Sequence, residues 1–386
     1  MGQTLNVERA VRERYSKGAR ERQAELCCAV EYDGNLLAVL PREIVERDYG
    51  CGDPTRFLRP GEVVLDLGCG AGKVCYIAAQ VVGPTGRVIG VDVNGDMLAL
   101  AREYRPEIAR RIGYDNVEFR RGKIQDLRTD LDAADARLRR SAVASAEDLQ
   151  AFEEFLSEQR RRRPLIADDS IDVVVSNCVL NLVRDEDKRQ LFEEMFRVLK
   201  RGGRVLVSDI VADEPVPGHL KADPELWSGC ISGAFQEAGF LGAFGEAGFY
   251  GMEVLKRDET PWRTVEGIEF RSVTVAAYKG KQGPCWDLKQ AVIYKGPWSE
   301  VKDDDGHTLA RGERMAVCEK TFRIYTREPY ARDIIAVPPL EEVAPQEARP
   351  FDCSRDAVRH PRETKGREYR VTTDAAGTCC APGDCC

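Results

Sequence analysis

The stretch EVVLDLGCGAG, residues 62–72, decides the fold of this chain of 386 residues. Its apolar first half predicts a buried β-strand, and a helical run over residues 73–82 follows its three alternating glycines. A glycine-rich loop between a strand and a helix lets the backbone approach a ligand closely and directs the helix N-terminus at it. The stretch therefore predicts a ligand site at the carboxyl end of a strand.

The alternation of strand and helix continues beyond this stretch. Four further apolar segments predict strands, and helical sequence separates most of them: residues 87–92, 117–122, 171–177 and 203–209. Strands that alternate with helices form a parallel sheet covered on both faces. The predicted fold class is therefore α/β, with a Rossmann-like, doubly wound sheet.

Changes in composition divide the chain into four parts. Residues 1–57 predict an N-terminal helical segment, and residues 58–250 contain the alternating strands, with a charged helical insert at 128–163. Strand-like sequence returns in residues 251–337 and predicts a small α+β C-terminal domain. Residues 338–386 are rich in Pro, Glu and Arg and end in two cysteine pairs, which predicts a flexible, Cys-rich tail.

Charge and hydropathy exclude two classes of partner. The 57 Lys and Arg residues are outnumbered by 65 Asp and Glu residues, so a net charge of −8 argues against a nucleic-acid partner. No apolar run approaches the roughly 18 residues that a membrane span needs, which argues against a membrane partner. The first residues carry no apolar segment typical of a secretory signal. We expect a cytoplasmic protein.

Several features of the glycine loop restrict the class of ligand that it can bind. The pattern Gly68-x-Gly70-x-Gly72 fits dinucleotide folds and plain turns as well, but a nicotinamide loop prefers G-x-G-x-x-G. Asp66 precedes the glycines at the strand end. Asp92 ends the second strand about twenty residues later, where a carboxylate can accept both hydroxyls of a ribose.

Together these features resemble the S-adenosylmethionine loop of class I methyltransferases, which implies that fold for the sheet domain. In that resemblance Gly122 and Ile124, at the end of the third strand, would face the adenine ring, and Asn177, at the end of the fourth strand, would also contact the cofactor. The cofactor-binding residues expected are Asp66, Gly68, Gly70, Gly72, Asp92, Gly122, Ile124 and Asn177.

Cysteine is enriched, with fourteen residues in the chain. Such enrichment in a long chain without a secretory signal points to metal, metalloid or redox chemistry, although buried cysteines also serve as small apolar side chains. Cys178 directly follows the fourth strand, at the sheet edge where ligands bind in open α/β folds. Cys51 lies in a Tyr-Gly-Cys-Gly turn, and Cys230 follows the fifth strand.

These cysteine contexts, together with the Cys27-Cys28 pair, resemble those of the arsenite S-adenosylmethionine methyltransferases. The resemblance implies that Cys51, Cys178 and Cys230 are catalytic thiolates that hold arsenic(III), and that Cys27 or Cys28 delivers arsenic to them. It implies methyl transfer from S-adenosylmethionine to arsenite or methylarsenite in arsenic biotransformation and detoxification. Thioredoxin or glutathione would be the thiol reductant. Val74 departs from the family pattern, which usually has an acidic residue there.

The chemistry of arsenic suits these residues. Trivalent arsenic is soft and prefers thiolate ligands, and three thiolates leave its lone pair pointing away from the sulfurs. Attack of that lone pair on a sulfonium methyl group needs no general base, in keeping with only three histidines in the chain. Two alternatives stay open: a methyltransferase acting on another small molecule or thiol, and a non-catalytic thiol-based metal binder. The tail cysteines Cys379, Cys380, Cys385 and Cys386 could capture arsenic.

Overall fold

The computed structural model describes residues 6–23, 26, 30–339, 341–354 and 356–364. The chain divides into two units, the first ending at Gly280 and the second beginning at Lys281. The helices of the described residues are α1 (Val7–Gly18), α2 (Gly34–Leu37), α3 (Arg42–Glu46), α4 (Lys73–Val82), α5 (Gly95–Ile112), α6 (Leu131–Arg140), α7 (Ala146–Arg162), α8 (Asp185–Val198), α9 (Gly218–Lys221), α10 (Pro224–Ser228), α11 (Glu237–Glu246) and α12 (Glu319–Tyr325).

Short 3-10 helices cover Pro54–Phe57, Leu180–Leu182 and Pro361–Thr364. The strands of the first unit are β1 (Val63–Leu67), β2 (Arg87–Asp92), β3 (Val117–Arg121), β4 (Ile171–Asn177), β5 (Leu199–Ala212), β6 (Phe235–Gln236), β7 (Tyr250–Arg257), β8 (Arg263–Val265) and β9 (Ile268–Tyr278). Those of the second unit are β10 (Trp286–Asp287), β11 (Ala291–Tyr294), β12 (Glu300–Lys302), β13 (Thr308–Ala310), β14 (Arg314–Ala316), β15 (Ile334–Val337) and β16 (Arg349–Pro350).

The first unit contains one large sheet with the order β3-β2-β1-β4-β5-β9-β7. The strands from β3 to β5 are parallel, whereas β9 runs antiparallel to both β5 and β7. The strand order reverses between β1 and β4, and a crevice opens at such a switch point beyond the carboxyl ends of the strands. The expected α/β, Rossmann-like fold class is confirmed.

Apolar side chains that alternate along the strands bury both faces of this sheet. On β1, Leu65 and Leu67 belong to the cluster that includes residues of α8 and α11, whereas Val64 belongs to the cluster that includes residues of α4 and α5. On β5 the side chains alternate in the same way: Val207 belongs to the cluster with α8 and α11, and Leu206 belongs to the cluster with α4 and α5. Burial of both faces holds the strand ends, and therefore the crevice, in a fixed arrangement.

The segment from 128 to 163, expected as a helical insert, contains α6 and α7 between β3 and β4. Helix α7 begins at a capping box in which Ser145 and Asp148 exchange side-chain to backbone hydrogen bonds. Its residues are exposed or half-buried, as its many charged side chains require.

The boundary expected at residue 251 differs from the boundary in the structure. Strands β7 and β9 belong to the large sheet, and β9 pairs with β5 over nine consecutive residue pairs, from Arg204↔Tyr278 to Ala212↔Phe270. The first unit therefore extends to Gly280. In the sequence, β9 looks like the start of a new domain, because no local pattern indicates that this strand pairs with β5.

The start of the expected flexible tail at residue 338 also needs correction. Strand β16 pairs with β10, and the Arg359 guanidinium forms an ion pair with Asp287 at 2.7 Å. These contacts hold the described residues between 341 and 364 on the second unit. The tail cysteines, from Cys379 to Cys386, lie outside the described residues.

Within the described ranges, no helix has both the length and the apolar character needed to cross a membrane.

Candidate active site

A cavity of about 480 Å³ opens at the switch point between β1 and β4. Such a volume suits a small-molecule ligand of cofactor size. The loops after β1, β2 and β4 contribute to its wall, and α1 contributes Tyr15. The residues that were expected to bind a cofactor or arsenic and that line this cavity are Gly68, Gly70, Asp92, Ile124, Asn177 and Cys178.

The Asp92 carboxylate stands at the end of β2 and is tied to the glycine loop. One oxygen accepts a hydrogen bond from the Gly70 N–H at 2.8 Å, and the other accepts one from the Asn94 N–H at 2.8 Å. Burial raises the pKa of Asp92, and these backbone donors oppose the increase. The loop and the carboxylate therefore form one hydrogen-bonded wall of the cavity.

The glycines of the loop have different surroundings. A Cβ at Gly68, where φ is +70°, would come within 2.3 Å of Val179. At Gly70 the nearest atom to such a Cβ would be the Met97 methyl group at 3.3 Å, and Gly70 itself lines the cavity. Close packing therefore requires glycine at 68, whereas Gly70 leaves space beside the ligand site.

Three of the residues expected to contact the cofactor do not line the cavity: Asp66, Gly72 and Gly122. Gly72 is the N-cap of α4, and a Cβ at Gly122 would meet the Leu165 side chain at 2.3 Å. Both glycines serve the packing around the site.

The Asp66 carboxyl group is buried beneath the loop. The Cys75 thiol donates a hydrogen bond to it at 3.1 Å, and burial raises the pKa of Asp66 to about 8. A buried carboxyl group without a cationic partner is more stable when protonated. Asp66 therefore supports the loop from inside the core as a neutral group at neutral pH.

The side-chain amide of Asn177 holds the turn that carries Cys51. Its oxygen accepts hydrogen bonds from the N–H groups of Cys51 at 2.9 Å and Gly52 at 3.1 Å. Its nitrogen donates to the Gly52 carbonyl at 2.7 Å and to the Tyr32 hydroxyl at 3.0 Å. Asn177 was expected to bind a cofactor; it lines the cavity, but these four bonds make it a positioning residue for Cys51.

The glycines on either side of Cys51 allow this close approach. A Cβ at Gly50 would lie 2.2 Å from the Asn177 amide nitrogen, and one at Gly52 would lie 2.5 Å from the Ser208 hydroxyl. The Ser272 hydroxyl donates a hydrogen bond to the Cys51 carbonyl at 2.7 Å. The Tyr-Gly-Cys-Gly pattern is therefore a steric requirement for bringing the Cys51 turn against the end of β4 and against Ser208 of β5.

Three buried cysteines lie beside the cavity, and the sulfurs of two of them are close together. The sulfurs of Cys51 and Cys178 and a carboxylate oxygen of Asp209 all lie within 4.8 Å of one another. The Cys230 thiol donates a hydrogen bond to the Cys178 carbonyl at 3.3 Å. All three cysteines share one apolar cluster, and Cys178 lines the cavity. The structure thus brings together three cysteines that are far apart in the sequence.

Two residues of this site were missed in the sequence. Asp209 lies within β5 and accepts hydrogen bonds from the N–H groups of Val179, Leu180 and Ile210, and burial raises its pKa to about 6. Burial, together with the nearby Cys230 and Cys178 thiols, raises the pKa of the Tyr15 hydroxyl well above its usual value. No sequence signal marked Tyr15, whereas Asp209 could have been found as an acidic residue in a strand of otherwise buried residues.

Cys27 and Cys28, expected to deliver arsenic to the site, lie outside the described residues.

The pKa of Asp66 predicts a pH dependence of stability. Burial raises the folded-state pKa of this carboxyl above its usual value near 3.8. Its contribution to the free energy of unfolding is therefore complete below about pH 4. That contribution is lost as the pH rises to about 8, by up to about 1.4 kcal/mol per pH unit. Asp66→Asn should therefore lose less stability than the parent between about pH 5 and pH 8 in urea unfolding. The exposed-site variant Asp96→Asn should keep the parental pH dependence, and an unchanged slope for Asp66→Asn would contradict the assignment.

The Asn177 contacts predict the reactivity of Cys51. Asn177→Ala leaves two buried N–H groups without their acceptor, at a cost of about 1–3 kcal/mol each, and releases the turn. Alkylation of Cys51 by iodoacetamide, followed by peptide mass spectrometry, should then accelerate at least about tenfold. Cys69 in the same digest serves as an internal reference, and the exposed Asn35→Ala variant serves as a control. Equal Cys51 rates in Asn177→Ala and the parent would show that the amide does not hold this turn.

Comparison with known proteins relates this geometry to a family. The family model described as "Methyltransferase domain" matches residues 58–262, more than half of the chain. A second model, described as "Domain of unknown function (DUF8838)", matches residues 281–369.

Two curated proteins and one solved structure are similar over most of the chain. An arsenite methyltransferase from Aquipseudomonas alcaligenes is 33% identical over 301 residues, covering 75% of this chain and 77% of that protein. The arsenite methyltransferase of Homo sapiens is 28% identical over 365 residues, 89% of this chain and 86% of that protein. The crystal structure of an arsenic (III) S-adenosylmethionine methyltransferase from Chlamydomonas reinhardtii has 26% identity and a TM-score of 0.53, covering 82% of this chain and 98% of that one. The chain therefore belongs to the arsenite methyltransferase family of S-adenosylmethionine-dependent methyltransferases.

Proposed function

We propose that this protein transfers a methyl group from S-adenosylmethionine to trivalent arsenic held by Cys51, Cys178 and Cys230. The observation that carries the proposal is the group of three buried cysteines beside the switch-point cavity: Cys178 lines the cavity, and the sulfurs of Cys51 and Cys178 lie within 4.8 Å of each other. The substrates are arsenite and methylarsenite, and the products are methylated arsenicals in arsenic biotransformation and detoxification.

The cavity suits the methyl donor. S-adenosylmethionine supplies an electrophilic methyl group on a sulfonium sulfur. Asp92 is placed to accept hydrogen bonds from the ribose hydroxyls, and Gly70 leaves space for the ligand beside the loop backbone. Ile124 contributes an apolar surface to the same wall, as an adenine ring requires. These three residues bind and orient the donor.

The thiols supply the ligands for arsenic. Arsenite, As(OH)₃, condenses with three thiols to give an As(SR)₃ complex and three water molecules, without a change in oxidation state. Soft thiolate ligands favour a soft centre such as trivalent arsenic over hard cations, which prefer oxygen ligands. Burial of all three cysteines keeps water away from the complex and leaves Cys178 on the cavity wall. The complex therefore forms next to the donor.

Methyl transfer then depends on the relative positions of the arsenic atom and the methyl group of the donor. The arsenic lone pair forms a bond to the methyl carbon as the carbon–sulfur bond of the donor breaks and leaves S-adenosylhomocysteine. Holding the two reacting atoms about 3–3.5 Å apart supplies most of the rate enhancement, since no proton has to be moved. Cys51 is positioned for this by Asn177, and Cys178 by its place at the end of β4.

Each methyl transfer raises arsenic formally from the trivalent to the pentavalent state. Two thiols return it to the trivalent state by giving up two electrons and forming a disulfide, which thioredoxin or glutathione reduces. Cys27 or Cys28 is the proposed relay thiol that delivers arsenic and takes part in this exchange. The alternative acceptor, another small molecule or thiol, gives no reason for three converging buried cysteines.

The donor site predicts the effect of removing Asp92. Loss of a charged hydrogen-bond acceptor from this wall should cost about 1.5–3 kcal/mol, so that the Kd for S-adenosylmethionine rises about 10- to 150-fold. Isothermal titration calorimetry of Asp92→Ala measures this change. Asp96→Ala removes an exposed carboxylate at the start of α5 and should leave the Kd unchanged. A parental Kd for Asp92→Ala would remove Asp92 from the donor site.

The thiol site predicts the outcome of methyl transfer assays. With labelled S-adenosylmethionine and a thiol reductant, the parent should transfer methyl groups only when arsenite or methylarsenite is present. Cys178→Ser and Cys230→Ser should lower both methylation rates at least about 100-fold, because each transfer needs the complex correctly placed. Cys51→Ser should mainly impair methylation of arsenite, which requires three thiolates.

The donor Kd serves as the control for each variant and should stay at the parental value. Methyl transfer that does not depend on arsenite would support the alternative acceptor. Near-parental activity of Cys178→Ser would place the arsenic site elsewhere.

A further inference from the structure

The second unit contains a second group of three cysteines that the proposed reaction does not use. The sulfurs of Cys285, Cys318 and Cys353 lie within 4.8 Å of one another. Cys318 is buried, and the other two are half-buried, so a small ion can reach the group from solvent. The matching family model, "Domain of unknown function (DUF8838)", assigns no role to this unit.

The fold of the unit brings these cysteines together from three distant segments. Cys285 immediately precedes β10, which pairs with β16, and the Phe351 N–H donates a hydrogen bond to the Cys285 carbonyl at 2.9 Å. Cys353 follows β16 by three residues. Cys318 is the N-cap of α12, and its sulfur accepts a hydrogen bond from the Thr321 N–H at 3.3 Å.

The surroundings lower the pKa of the Cys285 thiol, whereas burial and the hydrogen bond with Cys285 raise the pKa of the Cys353 thiol. Burial alone would raise the pKa of Cys285, but hydrogen bonds with Cys353 and Cys318 and the nearby Lys320 ammonium group outweigh it and lower the pKa. The Lys320 ammonium also donates to the Gly283 carbonyl at 3.1 Å, which keeps it beside this segment. Three sulfurs within 4.8 Å of one another, with an ammonium group nearby, therefore suit a ligand that binds several thiolates.

We propose that Cys285, Cys318 and Cys353 form a second binding site for trivalent arsenic, distinct from the site of methyl transfer. Arsenite condenses with the three thiols to give As(SR)₃ and three water molecules, with no oxidation or reduction. The bound arsenic links the segments around β10, α12 and β16 and therefore stabilises the second unit. This inference goes beyond the proposed function, because the residues that line the donor cavity all belong to the first unit.

The number of ligands favours arsenic over zinc. Structural zinc sites almost always have four protein ligands in a tetrahedron. Within the described residues, no fourth Cys, His, Asp or Glu ligand atom joins the three sulfurs within the same 4.8 Å. Three sulfurs complete the coordination of trivalent arsenic, whose lone pair takes the fourth position.

The site can be tested by measuring the number of arsenic atoms bound per chain. The starting protein for this measurement, called the parent here, is a full-length variant from which most of the other cysteines are removed. The parent carries Cys→Ser substitutions at positions 27, 28, 178, 230, 379, 380, 385 and 386, so that only the second group retains three clustered cysteines. After incubation with arsenite and gel filtration, it should retain one arsenic per chain by elemental mass spectrometry. Adding Cys285→Ser and Cys353→Ser should abolish retention, whereas the matched pair Cys51→Ser and Cys69→Ser should leave it intact.

Alkylation of the unmodified chain provides a second measurement that does not depend on the folding of the variants. Under reducing conditions arsenite should protect Cys285 and Cys353 from iodoacetamide at least about tenfold, because a bound thiolate is no longer a nucleophile. Absence of retained arsenic in the parent, equal retention in the two double variants, or no protection would overturn the proposal. Displacement of the arsenic by equimolar zinc would assign the group to zinc instead.

Discussion

The side-chain amide of Asn177 holds the Cys51 turn against the carboxyl end of β4, and the proposed arsenic site depends on this contact. Four hydrogen bonds use both the oxygen and the nitrogen of the amide. The next residue, Cys178, lies within 4.8 Å of the Cys51 sulfur because of this arrangement. One strand end therefore both supplies one thiol and positions another, so that the geometry of the site follows from the register of the sheet.

The two halves of the proposed reaction have different physical requirements, which the switch point satisfies together. The donor needs an open cavity with a fixed carboxylate, and Asp92 meets this need through its bonds to Gly70 and Asn94. Arsenic needs soft ligands protected from water, and the cluster with Cys51, Cys178 and Cys230 is buried. Of these three cysteines, Cys178 is the one that lines the cavity, so the proposed transfer takes place beside it.

The sequence predicted those parts of the molecule that local patterns encode. The fold class followed from the strands and the glycine loop. The structure shows Gly70 and Asp92 on the cavity wall, and their contact with a cofactor stays a prediction. Sequence could not separate residues that touch the cavity from those that support it, such as Asp66, since both kinds share one motif. The domain boundary at 251 was wrong for a related reason: the pairing of β9 with β5 links residues far apart in the chain. The second cysteine group could not be predicted, because its members are 33 and 35 positions apart in the chain and share no motif.

Crystallography with anomalous scattering at the arsenic absorption edge tests the central claim most directly. Crystals of the full chain soaked with arsenite, with S-adenosylhomocysteine in place of the donor, would locate each bound arsenic atom. The account predicts an anomalous peak bonded to the sulfurs of Cys51, Cys178 and Cys230 and facing the sulfur atom of the bound S-adenosylhomocysteine. Well-ordered S-adenosylhomocysteine in the switch-point cavity, with no arsenic at these three sulfurs, would contradict it.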